Sequence, residues 1–217
     1  MVKLIIPRGN AMKIFKYSVG VMGTNAYILL DEETMEAALV DPGYDADKLL
    51  NALDSKGASL THIILTHAHF DHILALPEIK ERTGASLLVH KDDAKVLADN
   101  SLNLLSRFSR RSMVFPSPDR LLTDGDTVCI GKSNIGIIHT PGHTPGAICI
   151  SVGDDLISGD TLLRENIGRY DFPGGNYEEI MSSLQKIKSL GVKGKIYPGH
   201  GMSTTLEHEL TYNTYMI

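Results

Sequence analysis

Four side chains able to hold a cation fall within six residues of one another in Thr66-His67-Ala68-His69-Phe70-Asp71-His72. The apolar, β-branched run Ile63 to Leu65 just before them predicts a buried strand that ends there. Residues two apart on an extended chain point to one side, so His67 and His69 can converge on one ion, while Asp71 and His72 open the next helix. A lone histidine beside an apolar strand is ordinarily a core residue with a satisfied hydrogen bond. Four such groups crowded at a strand end instead fit a metal site, which draws imidazole and carboxylate from rigid neighbouring elements.

Three later segments repeat the theme. Thr140-Pro-Gly-His143-Thr-Pro-Gly146, Ser158-Gly-Asp160-Thr161 and Tyr197-Pro-Gly-His200-Gly201 each set one His or Asp in a tight turn after a predicted strand, where chemistry is usually mounted. His62, His90, His139 and His208 are expected to be structural, with a supporting role open for one of them. Asp41, in Val40-Asp-Pro-Gly43, reads as a turn residue, again with a supporting role open. Arg107, Arg110 and Arg111 form a basic cluster that is either a solvated face or a lip attracting an anionic substrate. Arg169 either braces its loop through Asp171 or faces substrate, and bracing is the expected role. No Gly-x-Ser-x-Gly elbow suggests a serine nucleophile.

The elements that must position these groups come in two batches. Strand-like runs at Ile14 to Tyr17, Ala26 to Leu30 and Ala37 to Val40 precede a helix over Asp45 to Lys56. The strand His62 to Thr66 leads to a helix over Ile73 to Thr83, then a strand Ala85 to Val89, a short helix Asp92 to Asp99 and an irregular stretch Ser101 to Pro118. A second batch of strands at Thr127 to Ile130, Ile135 to Ile138, Ala147 to Val152 and Asp155 to Ile157 precedes a helix Asn176 to Leu190, a strand Lys195 to Tyr197 and a helical tail Thr205 to Tyr215. Two batches of strands, each followed by helices, predict an α/β protein built as a four-layer αβ/βα sandwich of two mixed β-sheets with helices outside. Met1 to Ala11 is expected to be an extension outside one domain spanning 12–217.

The bulk composition excludes several classes. With 217 residues, 42% hydrophobic and 22% charged, the chain is of ordinary globular type and long enough to bury a core without staples. The formal charge of −5 offers no field to gather nucleic acid. No apolar run approaches a membrane span, and the first residues do not read as a signal peptide. Cys129 and Cys149 form no framework, so a reducing cytoplasm is the expected location. A small-molecule substrate is the expected partner; oligomeric state is not legible.

The composite of His67-x-His69-x-Asp71-His72 with His143, Asp160 and His200 resembles the metallo-β-lactamase superfamily, from about Lys13 onward. Ser158-Gly-Asp160-Thr161 and Pro198-Gly-His200-Gly201 are most similar to its glyoxalase II (hydroxyacylglutathione hydrolase) branch and small single-domain relatives. The resemblance implies two divalent metal ions, zinc first with iron or manganese as alternatives. One would sit on His67, His69 and His143, the other on Asp71, His72 and His200, with Asp160 bridging. It also implies hydrolysis of a small thioester or ester by a metal-bridging hydroxide, with Asp71 managing its proton. Only 16 residues follow Gly201, so the helical glutathione-holding domain of full-length glyoxalase II is not expected. The alternatives are a mononuclear iron oxygenase of the persulfide dioxygenase type and, further off, a nuclease.

Overall fold

The structure, a computed structural model, describes residues 12–110 and 112–217. The proposed extension Met1 to Ala11 and Arg111 of the basic cluster lie outside the described residues. Strand β1 (Met12–Val19) pairs antiparallel with β2 (Thr24–Asp31), and β2 with β3 (Glu36–Val40). Helix α1 (Ala46–Asp54) then carries the chain across to β4 (Ser59–Ile64), parallel to β3. Helices α2 (Phe70–Ile73) and α3 (Leu76–Thr83) make a second crossover to β5 (Ser86–His90). A 3-10 turn over Lys91–Asp93, α4 (Ala94–Ala98) and α5 (Leu105–Phe108) precede β6 (Arg120–Leu122), which completes a six-stranded mixed sheet in the order β1 to β6.

The second sheet starts with the antiparallel run β7 (Thr127–Ile130), β8 (Ser133–His139), β9 (Ile148–Val152) and β10 (Asp155–Gly159). After the small hairpin β11 (Leu162–Leu163) and β12 (Asn166–Ile167), helix α6 (Tyr177–Leu190) returns the chain to β13 (Lys195–Pro198), parallel to β10. Strand β14 (Thr204–Thr205) and helix α7 (Leu206–Tyr212) end it, and the order is β14-β13-β10-β9-β8-β7.

Three apolar layers bind four structural ones. In β2 the alternation of the pleat sends Ala26, Ile28 and Leu30 toward the helices, where Leu49 and Leu53 of α1 and Ile79 of α3 meet them. Tyr27 and Leu29 face the second sheet and pack with Ile135, Ile137 and Ile150. Apolar on both faces, β2 is buried along its whole length. On the far side Ile180, Leu184 and Ile187 of α6 form a stripe against Leu156 and Ile196. Asn176 caps α6 by accepting from the Glu178 and Glu179 amides, and Gly191 at φ 61° ends it.

The fold is therefore the α/β sandwich the sequence predicts. The continuous helix expected over Ile73 to Thr83 is broken at Leu74 and Ala75, because Pro77 has no amide to donate and opens the new helix α3. Helix α5 stands inside the stretch expected to be irregular, and β11, β12 and β14 are too short to leave a periodic pattern. The tail helix is shorter than expected. No helix among the described residues is long and apolar enough to cross a membrane.

Candidate metal centre

All seven predicted ligands project from the carboxyl ends of strands. His67 and His69 follow β4, with Asp71 and His72 on the single turn of α2; His143 follows β8, Asp160 follows β10 and His200 follows β13. The first four thus come from one sheet and the last three from the other, and all seven meet at one edge of the sandwich. His67 Nε2 lies 3.2 Å from His143 Nε2, which lies 2.9 Å from His69 Nδ1. A second group brings His72 Nε2 to 3.3 Å from His200 Nε2, with Asp71 Oδ2 at 3.1 Å from His200 and 3.6 Å from His72. Asp160 stands between the groups, Oδ1 3.7 Å from His72 and Oδ2 3.6 Å from His143 and 3.7 Å from His200.

The hydrogen-bond network assigns the tautomers. His72 Nδ1 donates to Asp41 Oδ2 at 3.0 Å, and His143 Nδ1 to the Arg169 carbonyl at 2.6 Å. Thr66 Oγ1 donates to Asp41 Oδ2 at 2.6 Å and so accepts from His67 Nδ1 at 3.1 Å. Each of these rings consequently turns an Nε2 lone pair inward. The lone pairs of His67 and His143 face each other, and that of His72 faces two carboxylates, arrangements that repel unless positive charge lies among them. Metal–nitrogen bonds of about 2.0–2.1 Å would set tetrahedral ligand atoms about 3.3 Å apart, close to the 3.2 Å between His67 and His143 and the 3.3 Å between His72 and His200. Asp160 Oδ1 is buried with no hydrogen-bond partner. Both histidine-containing groups could hold a divalent cation.

Electrostatics agree. Burial disfavours charge on His72, yet Asp71, Asp160 and Asp41 override it and push its pKa up to about 10, so without a cation Nε2 takes up a proton that a bound metal ion would displace. Burial and the neighbouring imidazoles hold His67 and His69 well below the ordinary range, as neutral ligands. The closeness demands Gly199: a Cβ there would fall 2.1 Å from Asp160 Oδ1.

Asp41 is more than a turn residue. It is fully buried at φ 52°, a strained setting for a non-glycine, and also accepts from the Thr66 amide at 2.7 Å. With its oxygens committed to these donors, it orients ligands. Thr24 Oγ1 donates to Asp71 Oδ2 at 3.1 Å, a support that the sequence analysis missed. His62 bonds Thr61, and His208 bonds Glu165. His139 stacks on His90 with ring centroids 4.0 Å apart and holds the Pro145 carbonyl, supporting the His143 turn from outside.

Of the arginines, Arg169 makes a bidentate pair with Asp171 at 2.8 and 2.7 Å, the expected brace, and lies over the Phe172 ring at 4.1 Å. Phe172 in turn stands edge-on to His69, centroids 5.7 Å apart. Arg107 is exposed, 6.0 Å from the same ring, with no ion pair among the described residues; Arg110 is exposed.

This geometry has counterparts. The model of the metallo-beta-lactamase superfamily matches residues 19–200. The chain belongs to that superfamily. It is 37% identical over 213 residues to the probable metallo-hydrolase YqgX of Bacillus subtilis, covering 94% of this chain and 98% of that one. It is 32% identical over 196 residues to the hydroxyacylglutathione hydrolase GloC of Haemophilus influenzae, covering 88% and 92%. Among solved structures it is similar to the BLEG-1 B3 metallo-beta-lactamase, with TM-score 0.88, 33% identity and 94% and 99% coverage. A di-iron-bound form of TTHA1623 gives TM-score 0.81, 32% identity and 93% and 99% coverage.

Proposed function

We propose that this superfamily member is a dinuclear metal-dependent hydrolase of a small acyl thioester or ester, of the S-acyl-glutathione kind. The observation that carries the reading is the pair of ligand groups joined by Asp160, whose Oδ2 faces His143 of the first and His200 of the second while Oδ1 faces His72. His67, His69 and His143 would hold one cation, and Asp71, His72 and His200 the other. Bound there, divalent cations supply Lewis acidity, lowering the pKa of water toward about 7 and polarising an acyl oxygen.

The chain's own residues do the rest. Asp71, held by Thr24 and His200, orients the attacking water and takes its proton. Asp41 and the Arg169 carbonyl keep His72 and His143 in the tautomers that face inward. The side chains of His200 (27% exposed) and Asp160 (12%) mark the open side of an otherwise buried centre, where substrate arrives. Phe172 walls this centre beside His69, and the exposed Arg107 next to the same ring suits an anionic acyl or thiol portion. A thiolate leaving group needs little acid assistance. The likeness to GloC supports the thioester; zinc, iron and manganese all suit this donor set.

The test is hydrolysis of S-acylglutathiones, simple thioesters and a β-lactam by protein loaded with each metal, with oxygen uptake on glutathione persulfide as a parallel arm. Thioester turnover lost in both His67→Ala and Asp160→Ala is the expected result. Full rate in both variants, or oxygen uptake by protein holding a single iron, would overturn the proposal. The completeness of the second group favours the hydrolase over a mononuclear oxygenase.

A further inference from the structure

Asp93 ends the 3-10 turn after β5, is fully buried, and makes no ion pair with any described cation. Its three partners all lie on the two loops that carry the first ligand group. Oδ2 accepts from the Ala68 amide and from Thr144 Oγ1, each at 2.9 Å, and Oδ1 accepts from the Gly146 amide at 2.7 Å. Ala68 is the residue between His67 and His69, and Thr144 follows His143. One carboxylate thus ties a loop of the first sheet to a loop of the second. The approach is so close that a Cβ on Gly146 would meet the Asp93 amide nitrogen at 2.4 Å and Oδ1 at 2.8 Å.

The second group is braced differently. Asp41 holds His72, Thr24 holds Asp71, and Asn25 holds the His200 loop through the Pro198 and Gly201 carbonyls. None of these supports involves Asp93. Burying a carboxylate without a cation is costly, and three donors on two loops are what offset it.

We propose that Asp93 is a positioning residue that sets the separation of the His67–His69 loop from the His143 loop, and thereby the cation affinity of the first ligand group alone. The inference rests on the reading of the centre as a metal pair. An amide in place of the carboxylate turns its NH2 toward either the Ala68 or the Gly146 N–H, donor against donor in both orientations, and so pushes the two loops apart.

The test titrates the metal-free full chain with Zn2+ alone and then Co2+ alone, following heat and the Co2+ absorption spectrum. His143→Ala and His200→Ala identify which binding step belongs to which group. In Asp93→Asn the step assigned to the first group should weaken about 10–100-fold with an altered spectrum, the other step remaining as in the parent. Thr144→Val, which removes one of the three bonds, should move the same step less, and it carries the test should Asp93→Asn fail to fold. Equal weakening of both steps would mean that Asp93 merely holds the fold, and no change in either would mean that it positions nothing; each result overturns the proposal. If the parent binds neither cation, the metal reading itself fails, a distinguishable outcome.

Discussion

Asp41 Oδ2 receives hydrogen bonds from both His72 Nδ1, at 3.0 Å, and Thr66 Oγ1, at 2.6 Å. Through Thr66 the same oxygen steadies His67, so a single buried carboxylate sets the tautomer of one imidazole in each ligand group. Asp41→Asn should therefore weaken both metal steps, by about 10–100-fold each. Competition against a chromophoric chelator measures this, and an unchanged affinity would contradict the orienting role.

Asp160 has carboxylate oxygens within 3.7 Å of His143 in the first group and of His72 and His200 in the second. Asp160→Ala should lose at least one metal equivalent per chain and cost more activity than the loss of an outer support. Elemental analysis of protein dialysed without added metal gives the stoichiometry directly.

Stripping the metals should lower thermal stability, since a ligand that binds only the folded chain stabilises it by about 2.7 kcal/mol at a hundredfold excess over its dissociation constant. Calorimetry before and after chelation reads the shift, and it should reverse on restoring the ion. An identical melting temperature with and without metal would argue against a buried site.

Asp31 predicts an acid-sensitive contribution away from the centre. Burial would raise its pKa, but the Thr34, Lys132 and Glu33 amides and Ser133 together hold it down to about 2. A folded pKa below the unfolded value of about 3.9 means that this stability is complete above about pH 5 and is lost progressively as pH falls through about 2. Urea midpoints of Asp31→Asn should accordingly change less across that window than those of the parent.

Leu184 lies at the heart of the layer between α6 and the second sheet. Leu184→Ala should destabilise by about 2–5 kcal/mol in denaturant titration while metal stoichiometry stays intact. Loss of metal from a folded variant would show that this layer shapes the centre.

What the sequence revealed divides by distance along the chain. The four ligands of His67 to His72 were legible because they are nearly contiguous at the end of an apolar strand, and the sandwich because two batches of strands alternate with helices. His143, Asp160 and His200 each occupy an ordinary Gly/Pro turn, so their convergence was legible only through their combination and the family resemblance. Thr24 and Asp93 were missed, and Asp41 was read as a turn residue with a supporting role open, because each acts on partners 25 or more residues away in the chain, which leaves no periodic trace. The split between α2 and α3 was hidden for another reason: Pro77 fits the first turn of a helix, and continuous apolar spacing masks the break.

The seven converging side chains draw on both sheets, and the last of them, His200, comes only after β13 of the second. An emerging polypeptide therefore offers a cation only fragments of its resting place until His200 has been added. On the proposed reading, loading would wait until both sheets have closed on each other, and a copy ending before His200 would lack a ligand of the second group.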